Sequence, residues 1–344
     1  MKLRAPALDE IRAARQRLTG VTLATPLVRL NVDAREGLPK MTKAPAAGTS
    51  DGGEPAKISE PAEIYLKLEN LQPIGSFKLR GAVNAMLVAG PRRLARGVYT
   101  ASAGNMAQGV AWGARHLGVA ATAVVPDHAP ATKLAAIERL GGSVVKVSWE
   151  RWWRVIHEHT YPGQHGLFIH PVSDTGVMAG NGTIGLEILE QLPDVDTVLV
   201  PYGGGGLSCG IAAALRALQP RVRIFGCEVA TAAPLAASLA AAAPREVDYQ
   251  PSFVDGIGGK GLLAEIWPLA RRLLDGALVV PLAAIAAAIK LLAERNRIVA
   301  EGAGAASVAA ALAGVAGARK VVCIVSGGNI DTAKLAAILA GEVP

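Results

Sequence analysis

The stretch YLKLENLQPIGSFKLRGAVNAM, Tyr65–Met86, passes from an apolar strand pattern into a helical pattern and places Lys78 at the junction. Further short apolar runs, among them TVLVP and KVVCIVS, each precede a helical pattern in the same way. Runs of Val and Ile about five residues long suit strands that are buried on both faces. This alternation predicts an α/β fold with mostly parallel sheets wrapped by helices.

The length of 344 residues suggests about two domains. We expect a large domain from residues 1–98 plus 173–344 and a small domain from residues 99–172, each built on a mostly parallel twisted sheet. Residues 41–62 are rich in Pro, Gly, Ser and Lys, which predicts a flexible insertion rather than a domain boundary.

Composition excludes several classes of protein. The net charge is +7, but the 35 Lys and Arg residues are spread along the chain and aromatics are only 4%, so we expect no nucleic-acid binding and instead small anionic ligands. No long uninterrupted apolar stretch indicates a membrane segment. Three dispersed cysteines in apolar surroundings are typical of buried free thiols in a reducing compartment, so we expect a cytoplasmic protein.

Parallel sheets bind ligands at the carboxyl ends of their strands, which directs attention to four loops. Gly203–Gly206 follow a strand and precede a helix, so their backbone N–H groups can converge on a phosphate; the alternative is a tight loop that serves packing alone. Lys78 has apolar neighbours, and desolvation would leave its amine free to attack an aldehyde; the alternative is a solvated lysine at a helix start.

Two further loops carry polar groups. In SAGN, Ser102–Asn105, small residues expose backbone donors to a carboxylate, although Asn105 alone could be a helix cap. In SGGN, Ser326 offers a hydroxyl at a strand end, although a plain turn explains it equally well. Together, a glycine phosphate loop, a lysine amine and a carboxylate cradle indicate a phosphorylated aldehyde cofactor acting on an amino acid.

Two other patterns are weaker. GIGGKG, Gly256–Gly261, matches G-x-G-x-x-G, but it follows QPSFVD rather than an apolar strand, which argues against nucleotide binding. Four of the six histidines fall between His157 and His170, yet His157 and His159 would face different ways on a helix, so the spacing does not favour zinc.

From about Thr25 to Ile338 the chain resembles the pyridoxal-phosphate enzymes of the tryptophan synthase β-like fold (fold type II), and specifically the serine/threonine dehydratases. LENLQPIGSFKLRGA, SAGNMAQGVA, GGGGL and SGGNID resemble the lysine, substrate, phosphate and pyridine segments of that family. HPVSDTGVMAGNGTIGLEIL, FVDGI and VAEGAGAASVAA follow its pattern in the same order.

The resemblance implies a pyridoxal 5'-phosphate enzyme that removes the β-hydroxyl from L-threonine, L-serine or a related β-hydroxy amino acid, giving a 2-keto acid and ammonia. It implies that Lys78 binds the cofactor covalently and acts as the catalytic base. The implied cofactor contacts are Phe77, Lys78, Asn105, Gly203, Gly204, Gly205, Gly206, Leu207 and Ser326. The implied substrate contacts are Ser102, Ala103, Gly104, Asn105 and Met106, with Gly256 and Glu301 as further candidates.

The sequence departs from the family pattern at several positions. Met106 replaces a common histidine, Ile74 replaces a threonine, and Ala103 stands where racemases of the family have a serine. Glu228 matches the start of the family's cation site, but the later aspartate aligns with Pro234, so a divalent or monovalent cation stays open. The alternatives are a serine racemase, a β-replacement or threonine synthase-like enzyme, or a non-catalytic anion-binding protein; a homodimer or higher homo-oligomer is also implied.

Overall fold

The computed structural model describes residues 3–32, 62–315 and 317–344, and these residues form two sheets wrapped by helices. Residues 41–61 of the predicted insertion therefore lie outside the described residues. The strands of the larger sheet are β1 Leu27–Arg29, β2 Glu63–Leu68, β7 Thr197–Pro201, β8 Arg223–Val229, β9 Gly276–Val280 and β10 Lys320–Val325. Those of the smaller sheet are β3 Val98–Ala101, β4 Ala121–Pro126, β5 Ser143–Val147 and β6 Leu167–Phe168.

Both sheets are dominated by parallel pairing. The larger sheet has the order β1-β2-β10-β7-β8-β9, and only the β1–β2 pair is antiparallel. The smaller sheet, β5-β4-β3-β6, is parallel throughout. The fold class predicted from the sequence is confirmed. The strands of the smaller sheet fall within residues 98–168, and the division into two domains stays a prediction.

The helices separate the strands along the chain. They are α1 Leu8–Leu18, α2 Lys78–Leu94, α3 Asn105–His116, α4 Ala131–Arg139, α5 Trp149–Glu158, α6 Thr175–Gln191, α7 Gly206–Leu218, α8 Pro234–Ala241, α9 Trp267–Leu273, α10 Leu282–Leu291, α11 Gly302–Leu312 and α12 Thr332–Ala340. A 3-10 turn at Glu69–Leu71 and a π-helical turn at Leu292–Asn296 complete the regular structure of the described residues. Across the three described ranges, no helix has the length and apolar character needed to cross a bilayer.

The strand order brings the candidate loops to one place. Strand β10 lies between β2 and β7 and runs parallel to both, so the loops that follow these three strands leave the same edge of the larger sheet. The loop after β2 leads to Lys78, the loop after β10 carries Ser326, and the loop after β7 carries the Gly203–Gly206 turn. Strand β7, TVLVP, is buried at every position, as the continuous apolar run predicts.

A buried ion cluster holds the start of α2 in place. Arg80, which is 1% exposed, donates from Nε and Nη2 to Glu69 at 2.8 Å each and from Nη1 to Glu187 at 2.6 Å. The ammonium of Lys67 also donates to Glu187 at 2.6 Å. Two cations and two carboxylates thus neutralise one another, and hydrogen bonds offset the desolvation that burial imposes. The cluster joins α2 to the 3-10 turn and to α6.

We predict that Arg80→Met lowers the free energy of unfolding by about 3–5 kcal/mol, because it leaves the buried Glu69 carboxylate without its paired cation and leaves Glu187 with Lys67 alone. Chemical denaturation followed by circular dichroism measures this change. Arg15→Ala is the control, because Arg15 pairs with Glu190 at the exposed surface and its loss should cost less than about 1 kcal/mol. Equal effects of the two substitutions would contradict the role given to the cluster.

Candidate active site

One cavity of about 920 Å³ lies between the loops at the carboxyl edges of the two sheets. All of the site residues predicted from the sequence line it except Glu228. They are Phe77, Lys78, Ser102, Ala103, Gly104, Asn105, Met106, Gly203, Gly204, Gly205, Gly206, Leu207, Gly256, Glu301 and Ser326. The structure therefore brings together segments more than 200 residues apart in the chain.

Lys78 is the first residue of α2, and its side chain turns into the cavity. Its Nζ donates to the Pro171 carbonyl at 2.9 Å and lies 5.1 Å from the centre of the Phe77 ring. Burial lowers the pKa of this amine from 10.5 to about 8, and only the Glu301 carboxylate acts in the opposite direction. A far larger fraction of the amine is therefore neutral, and so nucleophilic, than in an exposed lysine.

The Gly203–Gly206 turn connects β7 to α7 and forms another wall of the cavity. Gly205 has a φ of +90°, and a Cβ at Gly204 would lie 2.5 Å from the Val172 side chain. A Cβ at Gly206 would lie 2.9 Å from the Val172 carbonyl oxygen. Close packing thus requires glycine here, and the first N–H groups of α7 have no acceptor within their own helix. A phosphate fits this combination of bare backbone and helix N-terminus.

Asn105, the first residue of α3, is held from two sides. Its Nδ2 donates to both carboxylate oxygens of Glu301, at 2.9 and 3.2 Å. Its Oδ1 accepts from Asn329 Nδ2 at 2.8 Å, and the same Asn329 nitrogen donates to the Ile74 carbonyl at 2.8 Å. The two partners therefore fix the orientation of the Asn105 amide, with Nδ2 directed at Glu301 and Oδ1 at Asn329. Asn329 was not predicted from the sequence, although it lies in the SGGNID loop, where a polar residue just beyond a strand end was the available signal.

Glu301 is a buried carboxyl group in the cavity wall. Its pKa is raised to about 7, chiefly by burial and also by the Asp255 charge, against the opposing effects of the Asn105 hydrogen bond and of the Lys133 and Lys78 cations. Lys133, on α4, pairs with Asp255 at 2.6 Å across the cavity. Near neutral pH, the charge of Glu301 therefore depends on the groups around it.

The Ser102–Met106 loop leads from β3 into α3. Ser102 Oγ accepts from the Gly104 N–H at 3.2 Å, and Gly104 caps α3 without a side-chain hydrogen bond. The first-turn N–H groups of α3 therefore have no acceptor within the helix, which suits a carboxylate ligand. Met106 is 2% exposed and adds an apolar surface to the cavity, and Ser326, with its neutral hydroxyl, also lines it.

Several cavity residues were not anticipated from the sequence. Three tryptophans of α5 line it, as do Tyr249 and the rest of Gly256–Gly261, of which only Gly256 was predicted. The GIGGKG segment thus lines the candidate site, although its sequence context does not indicate a nucleotide-binding loop. The clustering of aromatic residues in WERWW was the signal available for α5.

Glu228 does not line the cavity. Its two carboxylate oxygens accept the backbone N–H groups of Leu235 and Ala236, each at 2.8 Å, at the start of α8. Burial raises its pKa to about 7. The structure therefore gives Glu228 a helix-capping contact, and its predicted part in a cation site stays a prediction.

A cluster of two histidines and one glutamate has side-chain types that can bind a metal ion. Side-chain atoms of His159, His170 and Glu265 lie within 4.8 Å of one another. However, His170 Nδ1 accepts from the N–H groups of Val172 and Ser173, at 3.0 and 2.6 Å, and Nε2 lies 3.1 Å from the Ile156 carbonyl oxygen. Burial lowers the pKa of this ring to about 3. With both nitrogens occupied, His170 has no lone pair for a metal.

A buried amine of lowered pKa that shares a cavity with a glycine turn defines an enzyme site for a phosphorylated aldehyde cofactor. The chain belongs to the pyridoxal-phosphate dependent enzyme family, whose sequence profile matches residues 54–327. It is 42% identical over 274 residues to an L-threonine ammonia-lyase of Thermotoga maritima, an alignment that covers 78% of this chain and 68% of that protein.

Two solved structures are similar over almost the whole chain. Maize serine racemase superposes with a TM-score of 0.82 and 31% identity, covering 98% of each chain. The processed form of threonine deaminase isoform 2 from Solanum lycopersicum superposes with a TM-score of 0.81 and 30% identity, covering 99% of this chain and 92% of that one. The family, the cofactor and the lyase class predicted from the sequence are confirmed.

We predict that the rate at which pyridoxal phosphate recombines with the cofactor-free protein rises about tenfold per pH unit below pH 8 and levels off above it. The neutral amine is the nucleophile, and its fraction follows the lowered pKa of Lys78. Visible absorbance of the bound cofactor measures the rate.

Glu301→Gln should move this plateau to lower pH, because the Glu301 carboxylate raises the pKa of Lys78. Glu294→Gln, on the π-helical turn outside the cavity, is the matched control and should leave the plateau in place. A rate that keeps rising toward pH 10 would show that Lys78 is an ordinary solvated lysine.

We also predict that Gly204→Ala raises the dissociation constant of the cofactor at least about tenfold, or about 1.4 kcal/mol, since the added Cβ collides with Val172. An absorbance titration measures this constant. Gly259→Ala is the control, because Gly259 lines the same cavity but an added Cβ would meet only the Gly261 carbonyl oxygen, at 3.9 Å. Unchanged affinity in Gly204→Ala would argue that the turn does not hold the phosphate.

Proposed function

We propose that this protein is a pyridoxal-phosphate dependent ammonia-lyase that converts L-threonine, L-serine or a related β-hydroxy amino acid to a 2-keto acid and ammonia. The observation that carries the proposal is the Lys78 amine, with its pKa lowered to about 8, in one cavity with the Gly203–Gly206 turn. The name L-threonine ammonia-lyase of the Thermotoga maritima relative supports the substrate class.

The residues present fit the cofactor. Lys78 would hold it covalently, the backbone N–H groups of Gly203–Leu207 would bind its phosphate, and Phe77 would lie beside its ring. Ser326 would meet the pyridine nitrogen with a neutral hydroxyl, and Asn105 would donate to the phenolic oxygen. Bound pyridoxal phosphate supplies an electron sink that stabilises the negative charge left when the substrate loses its Cα proton.

The chain itself supplies the binding and the proton transfer. The N–H groups at the start of α3, within Ser102–Met106, would bind the substrate carboxylate, because a helix N-terminus attracts an anion. The amine of Lys78 would remove the Cα proton, since its lowered pKa leaves a free base near neutral pH. Loss of the Cα proton and the β-hydroxyl releases one water, and the subsequent hydrolysis to the 2-keto acid and ammonia consumes one water, so the overall reaction balances.

Glu301 and Asn329 would act as positioning residues in this scheme. Together they hold both polar atoms of the Asn105 amide, and if the two Glu301 oxygens share one Nδ2 hydrogen, the other would be left for a ligand in the cavity. A Glu301 carboxylate would also favour the cationic form of Lys78 after it has taken the proton. Both effects depend on the charge of Glu301 rather than on direct contact with the substrate.

Racemisation is the second candidate, and the likeness to maize serine racemase motivates it. A racemase needs a proton donor on each face of the substrate Cα. Ala103, in the substrate loop, cannot donate a proton, and this favours elimination over racemisation. We also propose a cytoplasmic location and a homo-oligomer, which rest on the sequence arguments and the family resemblance.

We predict that the cofactor-loaded protein forms 2-keto acid and ammonia from L-threonine and L-serine, and that Lys78→Ala lowers kcat at least about a thousandfold. Keto-acid and ammonia assays measure turnover, and chiral chromatography measures any D-serine formed. Lys146→Ala, an exposed lysine on β5, is the control and should retain activity. D-serine in excess of keto acid would favour the racemase, and full activity in Lys78→Ala would overturn the assignment.

A further inference from the structure

The candidate cavity has an aromatic wall that threonine and serine do not require. Trp149, Trp152 and Trp153 stand at i, i+3 and i+4 of α5, so they share one face of the helix. Their ring centres lie 5.0 to 6.2 Å apart, and all three line the cavity that contains Lys78. We call these three residues the tryptophan wall.

The other described residues of the protein cover the tryptophan wall only in part. Trp149 is 44% exposed and Trp153 is 38% exposed, whereas the residues that α5 buries are Val155 and Ile156. Trp152 Nε1 is buried without a hydrogen-bond partner in the part of the chain that the structure describes. Large exposed rings are unfavourable unless a ligand covers them, and a buried N–H is unfavourable unless it meets an acceptor, which the face of an aromatic ring can provide weakly.

Sheet topology places the wall beside the substrate loop. Met106, His128 and Trp149 follow β3, β4 and β5 respectively, and these three strands are parallel neighbours. The three loops therefore leave the same edge of the smaller sheet, and β5 lies two strand spacings, about 10 Å, from β3. The ring centres of His128 and Trp149 are 5.8 Å apart, which joins the loops into one surface.

This distance discriminates between substrates. The methyl group of threonine is too short to reach from the substrate loop to α5, whereas an aromatic group on Cβ extends several ångströms further in that direction. Buried Met106 adds an apolar, polarisable contact along the way, and sulfur and aromatic rings pack favourably. Aromatic ligand rings pair well with tryptophan rings in offset or edge-on arrangements.

We propose that the tryptophan wall binds an aromatic substituent on the substrate Cβ, so that the enzyme accepts 3-aryl-3-hydroxy amino acids such as L-threo-3-phenylserine. The proposal rests on the proposed lyase function and extends it to a substrate class. The chemistry is unchanged: the Cα–H and Cβ–O bonds break, water leaves, and hydrolysis releases an aryl keto acid and ammonia. No oxidant or reductant takes part.

The test compares kcat/KM for 3-phenylserine and for L-threonine in the wild type and in Trp152→Ala. We expect the ratio of the two values to fall at least about tenfold in Trp152→Ala, mainly through KM, and to be largely restored in Trp152→Phe, which keeps a ring. Trp112→Ala is the matched control, because Trp112 is a tryptophan of α3 that stacks on His116 and does not line the cavity. It should leave the ratio unchanged.

A binding measurement separates this inference from the lyase function itself. L-phenylalanine has the aryl group but no β-hydroxyl, so it can bind without elimination. Its dissociation constant for the wild-type holoenzyme, measured by visible absorbance, should rise at least about tenfold in Trp152→Ala, and that of L-alanine should change less than about twofold. Trp149→Ala, which removes an exposed ring, gives a second variant should Trp152→Ala fail to fold.

The outcomes are distinct. Turnover of L-threonine with no turnover of 3-phenylserine, or an unchanged ratio in both tryptophan variants, overturns the inference and leaves the lyase function standing. Tight, wall-dependent binding of L-phenylalanine without elimination from any substrate supports the wall and contradicts the lyase function. A change of oligomeric state in Trp149→Ala and Trp152→Ala, with unchanged ligand affinity, would show that the wall is a subunit contact and overturn the inference.

Discussion

The ion cluster around Arg80 is the constraint on which the geometry of the site depends. Arg80 is two residues beyond Lys78 and holds the first turn of α2 against Glu69 and Glu187. Because Arg80 and Lys67 neutralise these carboxylates, the cluster leaves no net negative charge to stabilise a cationic Lys78. Burial can then lower the pKa of Lys78, with Glu301 as the one opposing carboxylate. The same residues thus fix the position of the amine and leave it reactive.

Parallel strand order explains why residues far apart in sequence meet in one cavity. Each candidate loop follows the carboxyl end of a strand, and neighbouring parallel strands end at the same edge. The larger sheet contributes Lys78, the glycine turn and Ser326, while the smaller sheet contributes the substrate loop and α5. The cavity therefore lies where the edges of two sheets face each other, and Lys133 and Asp255 pair across it.

Features with local signals could be predicted from the sequence. Apolar runs identified β2, β7 and β10, and α2 begins at Lys78, the junction that the sequence pattern indicated. Strands β1, β6 and β9 were not anticipated; β1 and β6 have three and two residues, too few for a periodic pattern.

The contact from Asn105 to Glu301 spans 196 residues, and no local pattern encodes such a pairing. Likewise, Glu228 was identified as acidic, but its two bonds to the N–H groups of α8 depend on how the chain folds back.

The groups proposed to bind the cofactor phosphate, its ring and the substrate carboxylate are neutral donors, and this has a chemical consequence. Helix N-termini at α3 and α7, the Asn105 amide and the Ser326 hydroxyl can all stabilise anionic groups without introducing a fixed cation. A fixed cation beside Lys78 would lower its pKa further, but it would also oppose the positive charge that the amine acquires when it takes a proton. Neutral donors avoid this conflict, because their dipoles bind phosphate and carboxylate while their effect falls off steeply with distance. The buried Glu301, with its pKa raised to about 7, is then the group best placed to respond to each change in the charge of Lys78.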